Sequence, residues 1–256
     1  MLLCFQGDLM FCIETTYITI RTLFRVMKIH ADFSQRAVVN SQELPWVESP
    51  MPGVQRRMLE RVGEEVARAT SVVRYAPGSY FSAHTHGGGE EFIVLEGVFS
   101  DEHGDFGPGT YVRNPVGSSH TPYSKEGATI LVKLWQMDPD DQTQVTLDTR
   151  RAQWSPGLVD GLQVLPLHAY GTEQVALVRW APGTHFQAHR HWGGEEIFVL
   201  EGTFADEHGT YPQGCWLRNP HGSIHTPYSD EGCLIYVKTG HLAGQLLTPV
   251  AVGGVA

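Results

Sequence analysis

The sequence predicts an all-β protein made of two tandem barrels, and three observations carry that expectation. The stretch Ala76–Ser124 returns 105 residues later as Ala181–Ser229, with 31 of 49 positions identical, so one domain is present twice. Inside each copy apolar residues alternate with polar ones in runs of strand length. Glycine, proline and acidic turns bound these runs; the chain holds 28 Gly and 15 Pro, which suits many short strands better than a few long helices.

The elements follow in order. Residues 1–26 are apolar in patches but are interrupted by Asp8 and Glu14 and lack a basic opening, a poor signal peptide. They are expected to be an extension, disordered or reflecting a start assigned too early, with Met27 opening the folded part. Trp46 and Gly53 match Trp154 and Gly161 at an offset of 108, which carries each unit back to about Arg36 and Gln144. Met137–Thr143 reads MDPDDQT, a turn-forming stretch that marks the boundary. An N-terminal domain over 27–139 and a C-terminal domain over 140–256 are therefore expected, each of ordinary size.

Only Gly53–Thr70 looks helical by composition. Its repeat partner carries Pro166 and Gly171, which helix interiors avoid, so both segments are read as strands. Ala69–Gly78, Glu90–Gly97, Gly109–Pro115 and Ala128–Gln136 follow as further strands, rich in Val, Ile, Phe and Tyr.

Composition excludes several classes of function. With 18 Lys plus Arg against 28 Asp plus Glu, a net charge of −10 and no basic run, neither nucleic acid nor an anionic membrane is an expected partner. No run of 18 apolar residues is present, against a membrane-spanning helix. Cys4, Cys12, Cys215 and Cys233 form no C-x-x-C pair, which fits a reducing, cytoplasmic location.

The chemistry lies in a repeated constellation. In the first copy His84, His86 and Glu90 follow Gly78 and precede Gly97, and His120 follows Pro115 and Gly117; the second copy keeps every interval with His189, His191, Glu195 and His225. Two His at i and i+2 on a strand share a face. Parity groups Glu90 with Phe92 and Val94, leaving Glu91 as the competing carboxylate on the opposite face or rim. Three imidazoles and one carboxylate suit a divalent transition metal, zinc or iron first and manganese or nickel next, with up to two ions per chain.

At these residues the sequence resembles the cupin superfamily, whose two motifs have this form, and the resemblance covers both units. It implies double-stranded β-helix (jelly-roll) barrels, with His84, His86, Glu90, His120, His189, His191, Glu195 and His225 as metal ligands. One motif position departs: Ser124 and Ser229 stand where Asn often ends the second motif. The wording HTHGGGEEFIVLEGVFSDEHG is similar to the cupin-like domain of ChrR-type anti-sigma factors, in which this region binds zinc. Full-length members of that group grip a sigma factor through an N-terminal zinc-binding domain with an H-x3-C-x2-C signature. That signature is absent from this sequence, so sigma-factor binding is not expected.

Other residues carry less. His103 and His208 sit in Asp-Glu-His-Gly turns and are read as exposed. Arg113 with Asn114, and Arg218 with Asn219, either orient an anionic ligand or satisfy backbone groups; Glu91, Arg113, Glu196 and Arg218 are the candidate substrate contacts. Lys133 and Lys238 read as rim charges, and His30, His168, His185, His221 and His241 as structural. No catalytic residue is assigned.

Two functional readings follow. One is a small-molecule-binding protein or metal-dependent oxidoreductase of dioxygenase type, since three His and one Glu leave positions open on a five- or six-coordinate metal. The other is a zinc-binding ChrR-like sensor or regulatory module without catalysis. A small-molecule ligand or substrate is the expected partner, and a homodimer is compatible with the sequence.

Overall fold

The computed structural model describes residues 27–242 and, ahead of them, the backbone of three antiparallel strands, Cys4–Phe5, Asp8–Ile13 and Thr16–Ile20. The expectation for residues 1–26 otherwise lies outside the described residues. Between 27 and 242 the chain is strand and turn, with a single 3-10 turn at Ser41–Glu43.

Each half pairs a large sheet with a smaller one. In the first half the large sheet runs, in order, through Val145–Asp148, Thr110–Asn114, Glu90–Gly97, Ala128–Leu134, Ala67–Tyr75, Val54–Gly63 and Lys28–Ile29. The smaller one joins Gly104–Phe106, Phe99–Asp101, Tyr123–Ser124 and Ser79–Tyr80. The second half repeats the plan around Leu162–Tyr170, Glu173–Trp180, Cys233–Thr239, Glu195–Asp206 and Cys215–Asn219. These are jelly-roll sandwiches whose sheets do not close into a continuous hydrogen-bonded ring. The helical-looking stretch is extended, as its repeat partner predicts, and Pro166 is accommodated next to a bulge between Pro166 and His168.

The leading strand of each repeat is donated to the other half. Ala37–Asn40 pairs with Cys215–Asn219, and its repeat equivalent Val145–Asp148 pairs with Thr110–Asn114. The exchange interlocks the halves and leaves the large sheets covered on both faces. Phe92, Val94, Val112, Ile130 and Val132 point into the first sandwich. The alternate residues Ile93, Tyr111 and Leu131 pack against Leu177, Phe198 and Tyr236 of the second half in a shared core. Burial on both faces explains why central strands such as Glu90–Gly97 carry apolar residues between the alternating positions as well.

Gly97 and its repeat Gly202 leave the central strand at φ of 69° and 70°. An added Cβ at Gly97 would run into the carbonyl oxygen of Gly127, and one at Gly202 into that of Gly232. Gly97→Ala therefore combines a left-handed backbone with a clash against main chain. It is expected to destabilise by about 2–4 kcal/mol, read as a lower urea midpoint.

Candidate metal centre

In the first half, strand pairing sets His84 directly opposite His120. A turn then carries His86, held by its N–H donating to the Ser118 carbonyl at 2.9 Å and its own carbonyl accepting from Gly117 at 2.9 Å. Gly87 and Gly88 lie so close to Trp135 that a Cβ on either would strike it, so the glycine link is dictated by packing. Glu90 then opens the central strand on the inner face with Phe92, as parity predicts.

Four side chains converge as a result. His84 Nε2 and His86 Nε2 are 3.2 Å apart, and Glu90 Oε2 is 3.5 Å from both His86 Nε2 and His120 Nε2. In the second half His191 Nε2 and His225 Nε2 are 3.0 Å apart, with Glu195 Oε2 at 3.4 and 3.6 Å. The donor atoms of each quartet lie within 4.8 Å of one another.

The surrounding hydrogen bonds fix which atoms face inward. His84 Nδ1 donates to the Ser82 carbonyl at 2.8 Å and His189 Nδ1 to that of Gln187 at 3.0 Å. His120 Nδ1 donates to Asp101 at 3.0 Å, and His225 Nδ1 to Asp206 at 3.4 Å. In the neutral rings Nε2 then carries a lone pair, and lone pairs aimed at one another call for a cation between them. His120 Nε2 is buried with no hydrogen-bond partner among the described residues. Ligand atoms each about 2.1 Å from a shared ion stand roughly 3.0–3.4 Å from one another, close to the spacing here. Asn114 donates to Glu90 Oε2 at 3.1 Å and Asn219 to Glu195 Oε2 at 2.9 Å, orienting each carboxylate.

Burial holds His86 and His189 below the ordinary imidazole range and His191 at about 4, so these rings are neutral at pH 7. Burial also acts on His120 and His225. There the hydrogen bonds to Asp101 and Asp206, with the charges of Glu90 and Glu195, prevail and raise the pKa. The sequence analysis missed both aspartates; their signal was the exact repeat of the Asp-Glu-His-Gly turn. Asp101→Asn, which removes the charge and leaves one accepting oxygen for the two donors His120 Nδ1–H and His103 N–H, is expected to weaken metal binding about 10–100-fold, measured by chelator competition.

The four candidate substrate contacts face elsewhere. Glu91 is buried against the other half, accepting from Tyr236 and pairing with Lys238 at 2.9 Å. Glu196 makes the mirror pair with Lys133 at 2.6 Å, and also accepts from Trp216 at 2.7 Å and His241 at 2.8 Å. Arg113 pairs with Asp141, which also holds His168 at 2.7 Å. Arg218 pairs with Glu60 at 2.5 Å and donates to the carbonyls of His30 and Asp32. The reason is parity: these residues share the strand face of Ile93, which the other half covers. For the same reason Lys133 and Lys238 are not rim charges but are 3% and 0% exposed. His103 and His208 are exposed, as read.

This buried ion network makes stability depend on pH. Burial holds His241 at about 4, against the pull of Glu196. Burial pushes Glu91 up, but the charge of Lys238 and the hydrogen bonds from Tyr236 and Lys238 outweigh it and hold the carboxyl at about 2. Unfolded histidine takes up its proton near about 6.5, so the His241 contribution is complete above that pH and declines as pH falls toward 4. The Glu91 contribution is complete above about 4.3 and declines toward 2. The urea midpoint of the metal-free protein is expected to fall from about pH 6.5 downward and more steeply below about 4.3, with His241→Gln reducing the upper part of the fall, to which His86, His189 and His191 also contribute.

The second quartet opens onto a cavity of about 470 Å3 lined chiefly by apolar side chains, among them Trp180, Phe186, Trp192 and Phe204. Apart from the quartet, Arg190 is the one charged side chain in that lining among the described residues.

Comparison with known proteins agrees with this architecture. The family described as the ChrR cupin-like domain matches residues 34–138 and again 142–243. No curated protein sequence matches the chain. Among solved structures, a candidate dioxygenase from Nostoc punctiforme superposes with a TM-score of 0.68 at 17% identity, covering 82% of this chain and 84% of that one. A candidate glyoxylate-induced protein from Pseudomonas aeruginosa gives 0.65 at 13%, covering 86% and 92%. A deletion variant of Bacillus subtilis oxalate decarboxylase gives 0.57 at 15%, covering 80% and 76%. At such identities the likeness is one of fold.

Proposed function

The chain belongs to the family of ChrR cupin-like domains and carries that domain twice, and we propose that it is a metal-dependent oxidoreductase of dioxygenase type acting on a small molecule. In this reading His84, His86, Glu90 and His120 hold one divalent ion, and His189, His191, Glu195 and His225 a second. The observation that carries it is the second quartet, whose inward lone pairs lie in the wall of a cavity large enough for a small organic molecule. When bound, the ion supplies Lewis-acid polarisation of a substrate oxygen and, as iron or manganese, a redox centre for oxygen. Asp101 and Asp206 keep Nε2 of His120 and His225 turned inward, Asn114 and Asn219 hold the carboxylates, and Phe186 and Phe204 limit water around the second quartet. Cys215 and Cys233, buried and free, support a cytoplasmic location.

A second reading, a zinc-binding sensor module without catalysis, is favoured by the interlocked strands, which put both quartets on one frame. The test is to load the protein with iron(II), manganese(II) or zinc(II) and incubate it aerobically with a small-metabolite extract. Oxygen uptake and loss of a metabolite with iron or manganese, absent in Glu195→Gln, are expected. Tightly held zinc with no turnover in any metal form would favour the sensor.

A further inference from the structure

The two quartets repeat, but the groups that hold their imidazoles do not. Asp101, behind His120, receives two donors among the described residues, His120 Nδ1–H at 3.0 Å and the N–H of His103 at 2.7 Å. Its repeat Asp206 receives four: His225 Nδ1–H at 3.4 Å, the N–H of His208 at 2.9 Å, the Tyr211 hydroxyl at 2.7 Å and Arg36 Nη2–H at 3.0 Å. Arg36 also donates through Nε to Asn219 Oδ1 at 2.9 Å, and the amide of Asn219 holds Glu195.

The first half has neither addition. Its aligned positions carry Phe106, which has no hydroxyl, and Gln144, which has no charge and is exposed. Arg36 reaches the second centre because it leads the exchanged strand Ala37–Asn40 onto Cys215–Asn219. A carboxylate that accepts from the outer nitrogen of a ligating imidazole makes the inner nitrogen a stronger donor to metal. A guanidinium on the same carboxylate oxygen takes up part of that negative charge, and its own charge opposes a dication nearby. Both effects weaken the second centre, and the longer bond to His225 runs the same way.

We propose that the two centres are graded: the first half holds its ion tightly, as a fixed part of the fold, and the second half, where Arg36 and Tyr211 draw charge from Asp206, holds a weaker, exchangeable and more electrophilic ion beside the cavity. Arg36 is thereby a positioning residue, supplied by one half to the centre of the other. This rests on reading both quartets as metal sites, and it assigns the working centre of the proposed function to the second half.

The test is titration of the metal-free intact chain with zinc(II) in competition with a chromophoric chelator. Loading is expected in two steps that differ about 10–100-fold in affinity. His189→Ala with His191→Ala should remove the weaker step, and His84→Ala with His86→Ala the tighter one. Arg36→Gln with Tyr211→Phe, which gives the second half the side chains found in the first, should tighten the weaker step about 10-fold and bring the two nearly together. Arg36→Lys, which keeps a cation beside Asp206, should leave the steps apart. A general disturbance of the fold would loosen binding, the opposite of the expected change. A single step in the intact chain, a weaker step that belongs to the first half, or no tightening by Arg36→Gln with Tyr211→Phe would overturn the grading while leaving both quartets as metal sites. No zinc held by the intact chain would overturn both.

Discussion

In protein whose second site is silenced by His189→Ala and His191→Ala, Glu90→Gln is expected to bring bound metal from about one ion per chain to nearly none, while Glu91→Gln leaves it near one. The two carboxylates are neighbours in sequence and lie on opposite faces of one strand. Glu90 Oε2 stands 3.5 Å from two imidazole nitrogens; Glu91 is committed to Tyr236 and Lys238 of the other half. Removing Glu90 leaves a dication facing neutral imidazoles alone, with its charge uncompensated in a buried site. Metal per chain, measured after gel filtration into ion-free buffer, decides between them. If Glu91→Gln empties the site and Glu90→Gln does not, the strand's inward and outward faces have been exchanged.

The complementary effect is on stability. Lys238→Met should destabilise the protein by about 3–5 kcal/mol, because the carboxylate of Glu91 is left buried without its cation. Lys133→Met should do the same through Glu196. Lys238 is fully enclosed, with Glu91 at 2.9 Å and Glu173 at 2.8 Å, so water cannot replace it. Replacing Lys238 and Glu91 together, with Lys238→Met and Glu91→Leu, should recover the part of the loss that comes from Glu91, since an apolar pair of similar volume is often as stable as a buried ion pair, while Glu173 still lacks its cation. Urea unfolding of the single and double variants measures this coupling, and metal content should stay unchanged throughout.

Much of the fold was legible because its signals are local. Period two and the repeat identified the central strands, and Pro166 in one copy correctly decided the strand character of the helical-looking Gly53–Thr70 in the other. Parity likewise put Glu90 with Phe92 inside the sandwich. What parity cannot give is the identity of whatever covers the other face. Glu91, Arg113, Lys133 and their repeats looked like rim or substrate residues because an outer face was taken to meet solvent. The covering surface is the second half, brought there by the exchange of Ala37–Asn40 and Val145–Asp148. Such long-range pairing depends on where the chain returns in space, and a short strand carries no mark of its partner. Asp101 and Asp206 were hidden differently: each begins a turn, and one oxygen does cap that turn at the N–H of His103 or His208. The other oxygen, on the imidazole, required the smaller sheet to be in place.

The most direct test of the account is the metal stoichiometry of the intact chain beside two variants, His84→Ala with His86→Ala and His189→Ala with His191→Ala, each purified without added ions and then saturated with one divalent metal. About two ions per chain in the intact protein and about one in each variant are predicted. Equal stoichiometry in all three, or no retained metal in the intact chain, would contradict it.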